Sequence, residues 1–180
     1  MAEYQHVTHS FEPVYDEHST ILILGSFPSV KSREQGFYYG YPRNRFWRVL
    51  SRILQEQLPQ TINEKKDMLL KHRIAVYDVI ESCDIIGSSD SSIRNVVPND
   101  IGRLLKETEI RRIYTNGGTA HKYYQRYIKK KIGWEDIPLP STSPANAQWT
   151  LKKLIEVWKE KITVFVPVTD SATDSCVFEN

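Results

Sequence analysis

The chain has 180 residues, 40% hydrophobic and 26% charged, long enough to bury one real core and matching an ordinary soluble globular domain. Lys and Arg number 24 against 22 Asp and Glu, a net charge of +2, and three of the acids (Asp170, Asp174, Glu179) sit in a tail without bases, so the body is moderately basic. With no apolar run of about 18 residues and no basic-then-apolar leader, neither a membrane span nor secretion is expected, and the expected location is intracellular, cytoplasmic or nucleoid-associated in a prokaryote.

In chain order, residues 1–18 read as an N-terminal arm, with His6 and His9 solvated. Residues 20–24 form an apolar run that predicts a buried strand, and Phe46, Leu50, Ile53 and Leu54 follow at helical spacings of three and four. Residues 62–72 predict a helix leading into a second strand over 74–79. A third strand over 111–115 enters Asn116-Gly117-Gly118 and a helix that carries Ala120, Tyr123, Tyr124, Tyr127 and Ile128 on one face; residues 137–139 are a short fourth strand. The last helix, over 146–162, has the apolar stripe Leu151, Leu154, Ile155, Trp158 and Ile162. Residues 163–180 form an extension to which the sequence assigns no role.

This alternation predicts a three-layer α/β/α fold around a mainly parallel four-stranded sheet with right-handed crossovers. The segments after the four strands, 25–41, 78–99, 116–119 and 140–146, then converge on one crevice at the carboxyl edge, and they are also the richest in Gly, Pro, Ser, Asn and aromatic residues. The first runs from Gly25-Ser26-Phe27-Pro28-Ser29 through Tyr38, Tyr39 and Tyr41 to Arg43-Asn44-Arg45-Phe46-Trp47. Flat faces beside guanidinium groups suit a nucleobase and its phosphates. The fourth, Ser141-Thr142-Ser143-Pro144-Ala145-Asn146, offers three hydroxyls on a proline-stiffened loop opening the last helix, a phosphate site or simply a cap supplied by Ser143 or Asn146. Basic clusters at Arg43, Arg45, Arg48 and Arg52, and at Lys122, Arg126 and Lys129 to Lys131, permit a nucleic-acid partner or are solvated helix faces. Cys83, Cys176 and the five histidines show no metal-ligand spacing, and neither a Walker loop nor a dinucleotide fingerprint occurs, so no metal or cofactor is expected.

Together the two motifs, with Tyr77-Asp78-Val79-Ile80-Glu81-Ser82-Cys83 between them, resemble the uracil-DNA glycosylase superfamily over residues 19–162, most closely its hypoxanthine-DNA (deoxyinosine) glycosylase branch. Two departures separate the chain from the wider superfamily. Phe27 stands where many members hold a catalytic Asp or Asn, and Ser141 where the uracil enzymes hold a histidine. The resemblance implies a monomer, independent of cofactors, that flips a deaminated base out of DNA, hydrolyses its N-glycosidic bond, and leaves an abasic site for downstream repair enzymes.

By similarity Tyr39 stacks on the flipped base and Phe27 adds an apolar wall, with Asp78, Ser82 and Asn116 as candidates for reading the base edge. Ser29 and Arg43 join Ser141, Thr142, Ser143, Pro144, Ala145 and Asn146 as the DNA-binding set, the loop pressing the backbone and entering the minor groove. Asn44 is the first candidate to orient water, unless it only caps the following helix; Asp78 is the reserve catalytic group, unless it is a structural carboxylate. Two further classes remain open: a non-catalytic nucleic-acid-binding domain of the same fold, and a small-molecule nucleoside hydrolase.

Overall fold

The computed structural model describes residues 3–162, so the expected extension over 163–180 lies outside the described residues. Its centre is a parallel sheet of β2 (Ile21–Gly25), β3 (Ile74–Asp78), β6 (Arg112–Asn116) and β7 (Asp136–Leu139), in the order β3-β2-β6-β7. Every residue of β2 is buried, because a central parallel strand is covered on both faces; this is why its sequence is an unbroken apolar run. The register sets Gly25 beside Asp78 and Leu24 beside Thr115, so the ends of β2, β3 and β6 come together at one edge.

Alternating side chains feed two cores. Ile21, Ile23, Val76 and Tyr114 pack against α2 (Phe46–Leu54), α3 (Ile62–Lys71) and α7 (Leu151–Ile162). Leu22, Leu24, Ala75 and Ile113 face α4 (Ile101–Lys106), α5 (Gly118–Tyr123) and the π-helical turn Tyr124–Ile128 that follows it. Two further helices, α1 (Val30–Gln35) and α6 (Lys129–Ile132), complete the α-helices among the described residues. Trp158 of α7 is fully buried and donates from Nε1 to the Pro140 carbonyl at 3.0 Å, tying this core to the start of the 141–146 loop. Truncation of such a ring costs about 3–5 kcal/mol.

The three-layer parallel frame agrees with the sequence reading; three features differ. A second, antiparallel sheet of β1 (Gln5–Thr8), β4 (Ile80–Ile85) and β5 (Arg94–Pro98), in the order β1-β4-β5, occupies part of the chain read as an arm and a loop. His9 is therefore not solvated: its amide continues the β1–β4 ladder by donating to Glu81 O at 2.6 Å, and its side chain is 3% exposed. The last helix begins at Leu151, not residue 146, and the hydroxyl that accepts from its first turn is Thr150 Oγ1, from Lys153 N at 3.2 Å. Neither Ser143 nor Asn146 caps it. The carbonyls of Ser143, Asn146 and Trp149, which a longer helix would have turned toward its own amides, accept instead from the Arg45 guanidinium.

Candidate active site

A cavity of about 560 Å³ opens at the carboxyl edge of the parallel sheet. Its floor is Gly25 and Asp78, its walls are Phe27, Tyr38, Tyr39 and Asn44, and the loop from Ser141 to Ala145 closes one side. A neighbouring cleft of about 570 Å³ shares Ser141, Ser143 and Ala145, so the loop stands as a ridge between two depressions, with Ala145 exposed and Pro144 half-buried.

The floor depends on a missing side chain. A Cβ on Gly25 would lie 2.2 Å from Asp78 Oδ1 and 3.2 Å from Tyr39 Oη, so glycine leaves room for both oxygens. Asp78 Oδ2 bonds His9 Nε2 at 2.8 Å, while Oδ1 has no hydrogen-bond partner among the described residues. Tyr39 Oη is buried and makes no hydrogen bond of good geometry, with the Asn116 side chain as its near polar neighbour. Burial, reinforced by the Asp78 charge, pushes its phenol far above the ordinary tyrosine range and keeps it protonated. The Tyr39 ring stacks on Phe46 with centroids 3.8 Å apart and 13° between planes, so Phe46 covers one of its faces, and the residue also lines the cavity. Its φ of 53° is the left-handed region, costing about 1–2 kcal/mol for a residue with a Cβ. Such strain concentrates at functional sites.

The loop is pinned from below. Thr142 is fully buried; its Oγ1 donates to Asn44 Oδ1 and accepts from Asn116 Nδ2, both at 2.9 Å, and its amide donates to Asn116 Oδ1 at 3.0 Å. Asn44 Oδ1 also accepts from Phe46 N at 2.9 Å, so its carbonyl is committed at the entry to α2, and only Nδ2 remains for a ligand. Gly117, at φ 99°, lets β6 pass close under the loop: a Cβ there would sit 2.8 Å from that of Ser141. Loop amides are spent internally, Ser143 N on Ser141 Oγ and Ala145 N on Ser143 Oγ, and Asn146 Nδ2 donates to Ser141 O.

Of the residues singled out in the sequence, the structure gathers Phe27, Ser29, Tyr39, Asn44, Asp78, Asn116 and 141–145 on one cavity. Several carry different duties from those expected. Ser82 lies on β4, opposite Thr8 and Val97, and does not line the cavity, because β4 turns away to join the second sheet. The Asn116 amide is turned toward the loop, Oδ1 accepting from Thr142 N and one Nδ2 hydrogen donating to Thr142 Oγ1, with the other left toward Tyr39 and the cavity, while Thr142 itself is too buried to meet a phosphate. Arg45 is drawn into the loop carbonyls, where burial and neighbouring Arg48 lower its pKa; Arg43 stays exposed. Ser29 caps α1, accepting from Ser32 N, and Asn146 lines only the second cleft.

Two residues at the site escaped the sequence reading. His9 is the partner of Asp78. Asp90, on a 3₁₀ turn over Asp90–Ser92, reaches the mouth shared by both depressions. The residue as a whole is exposed, but the crowding of its carboxyl group at the mouth raises the carboxyl pKa by desolvation, the Thr119 side chain pulls it back, and the Asp78 charge adds to the rise. Neither has a local signal: each is a polar residue in a polar stretch.

The family model for the uracil DNA glycosylase superfamily matches residues 12–161. A protein named hypoxanthine DNA glycosylase from Methanosarcina acetivorans is 38% identical over 146 residues, 80% of this chain and 91% of that one. Another of the same name, from Methanosarcina barkeri, is 34% identical over 154 residues, 83% of this chain and 94% of its own length. A solution NMR structure from Methanosarcina acetivorans, described as a candidate uracil DNA glycosylase, superposes with a TM-score of 0.72 at 34% identity, covering 84% of this chain and 93% of the other.

Proposed function

We propose, because this chain belongs to the uracil DNA glycosylase superfamily, that it is a monofunctional DNA repair glycosylase for deaminated bases, hypoxanthine first among them. The observation that carries this reading is the cavity at the strand ends, with aromatic walls, an unpaired carboxylate oxygen on its floor, and a pinned loop along its rim. A base in a duplex is shielded from such a cavity. Extruding it costs a few kcal/mol, which a loop that fills the vacated space offsets. Pro144 and Ala145, at the crest between the two depressions, are the residues for that wedge. Phe27 and Tyr39 hold the extruded base, and Arg43 and the loop meet the backbone.

Hydrolysis then breaks the bond from C1′ to the base, places the oxygen of water on C1′, and sends a proton to the leaving base. Asp78 Oδ1 accepts from that water and presents negative charge to the developing cation on the sugar; Asn44 Nδ2 donates to the water oxygen and holds it below C1′. The protein acts as a monomer inside the cell and passes its abasic product to downstream repair enzymes. The test is cleavage of duplexes that carry a single inosine, uracil, xanthine or thymine, with alkali breaking the strand at abasic sites. Inosine cleaved fastest supports the reading. Binding to all four without strand breaks would instead make the chain a nucleic-acid-binding domain, and binding that is flat between low and moderate salt would argue against a DNA substrate.

A further inference from the structure

Asp78 is held from behind by a residue outside the span that the family model matches, residues 12–161. His9 Nε2 lies 2.8 Å from Asp78 Oδ2, with the two side chains 3% and 6% exposed. A carboxylate only accepts, so Nε2 carries the proton and donates. His9 Nδ1 is buried and has no partner. The ring sits in an aromatic box: Phe11 at 4.5 Å, Tyr77 at 5.4 Å, Tyr38 at 6.0 Å and Phe27 at 6.3 Å between centroids. Of these, Tyr38 and Phe27 line the cavity, as Asp78 does.

A histidine that only filled core space would not need its one donor aimed at a functional carboxylate. The strand that delivers it has the same geometry of purpose. β1 pairs with β4 from Gln5↔Ile85 to Thr8↔Ser82, and His9 is the next residue, placed by the hydrogen bond its backbone N–H donates to Glu81 O, with its ring on Asp78 at the end of β3.

We propose that His9 is a positioning residue of the active site: brought in by β1, its ring fixes Oδ2 of Asp78 so that Oδ1 faces the substrate, and it backs Phe27 against the extruded base. This rests on the assignment of Asp78 above. The consequence is that the N-terminal segment is part of the catalytic apparatus, and that removal of its histidine acts on turnover through Asp78.

The test uses the full chain in single-turnover cleavage of an inosine duplex, scored per folded molecule. His9→Phe should slow the rate roughly 10- to 100-fold, the scale of a displaced catalytic group, with half-saturating enzyme concentration nearly unchanged. His9→Gln, whose amide nitrogen reaches the same place, should recover most of the rate. In an Asp78→Asn background, His9→Phe should slow nothing further. Should His9→Phe fail to fold, His9→Met, also without a donor, replaces it. The proposal is overturned if the donor-less variant cleaves at the wild-type rate while Asp78→Asn is slow, or if its loss is undiminished in the Asp78→Asn background. Asp78→Asn at full rate is a different failure: it removes the role of Asp78 itself, and His9 positioning with it.

Discussion

Replacing Thr142 by Val removes a hydroxyl and keeps the shape. The hydroxyl makes two hydrogen bonds of 2.9 Å, one to Asn44 Oδ1 and one from Asn116 Nδ2, in a position with no solvent exposure. Each bond contributes about 1 kcal/mol net, and the buried Asn116 Nδ2, left without an acceptor, adds part of a desolvation cost of about 1–3 kcal/mol. Thr142→Val should therefore destabilise the protein by about 2–4 kcal/mol, which lowers the melting temperature of a chain of this size by roughly 5–15 °C. Because the same hydroxyl joins the loop to Asn44, single-turnover cleavage of inosine DNA should fall as well at temperatures where the variant is folded. Thr142→Ser keeps the hydroxyl and loses one buried methyl, a cost of about 0.8 kcal/mol, and should preserve the rate. Thermal melts followed by circular dichroism and a rate measured on folded protein decide the matter. A Thr142→Val protein that melts and cleaves like wild type would refute the pin.

Asn44→Ala should reduce single-turnover cleavage by about 10²-fold, the scale of one positioned polar group, and also cost about 2 kcal/mol in stability, about 1 for each bond its Oδ1 accepts, from Phe46 N and from Thr142 Oγ1; a stability loss alone would make Asn44 purely structural. Tyr39→Phe deletes a buried hydroxyl that makes no hydrogen bond of good geometry, only a loose approach to Asn116, so the melting temperature should hold or rise, and a clear drop would show that the phenol is firmly bonded to Asn116 in the folded state. Asp90 has a raised pKa in the folded state, so between its ordinary and raised values the folded protein binds more protons than the unfolded one and stability falls as pH rises. Asp90→Asn should accordingly raise the melting temperature at pH 7 and give no gain below the ordinary carboxylate pKa; an equal gain at both pH values would contradict the assignment.

The parallel sheet was legible because Ile21, Leu22, Ile23 and Leu24 are buried on both faces and have to be apolar. The antiparallel sheet was not. β1 is exposed at three of its four positions and β5 is mostly exposed, so neither carries an apolar run, and their pairing is set by contacts distant in sequence. The same limit governs the site. Topology and the loop motifs located the cavity, but whether Asn116, Thr142 and Arg45 face a ligand or one another depends on which hydrogen bonds the folded chain has already made. Apolar stripe and helix onset also diverged at 146–150, where Arg45 captures carbonyls that helical periodicity cannot register.

The central claim is that this chain breaks the bond between a deaminated base and its sugar in DNA. Mass detection of the products from an inosine duplex incubated with the wild-type protein tests it directly. Free hypoxanthine should appear in equal amount to an otherwise intact strand carrying one abasic site, and Asp78→Asn should slow the release of both. Tight retention of the duplex with no hypoxanthine released, or hydrolysis of free inosine while the duplex stays whole, would contradict it.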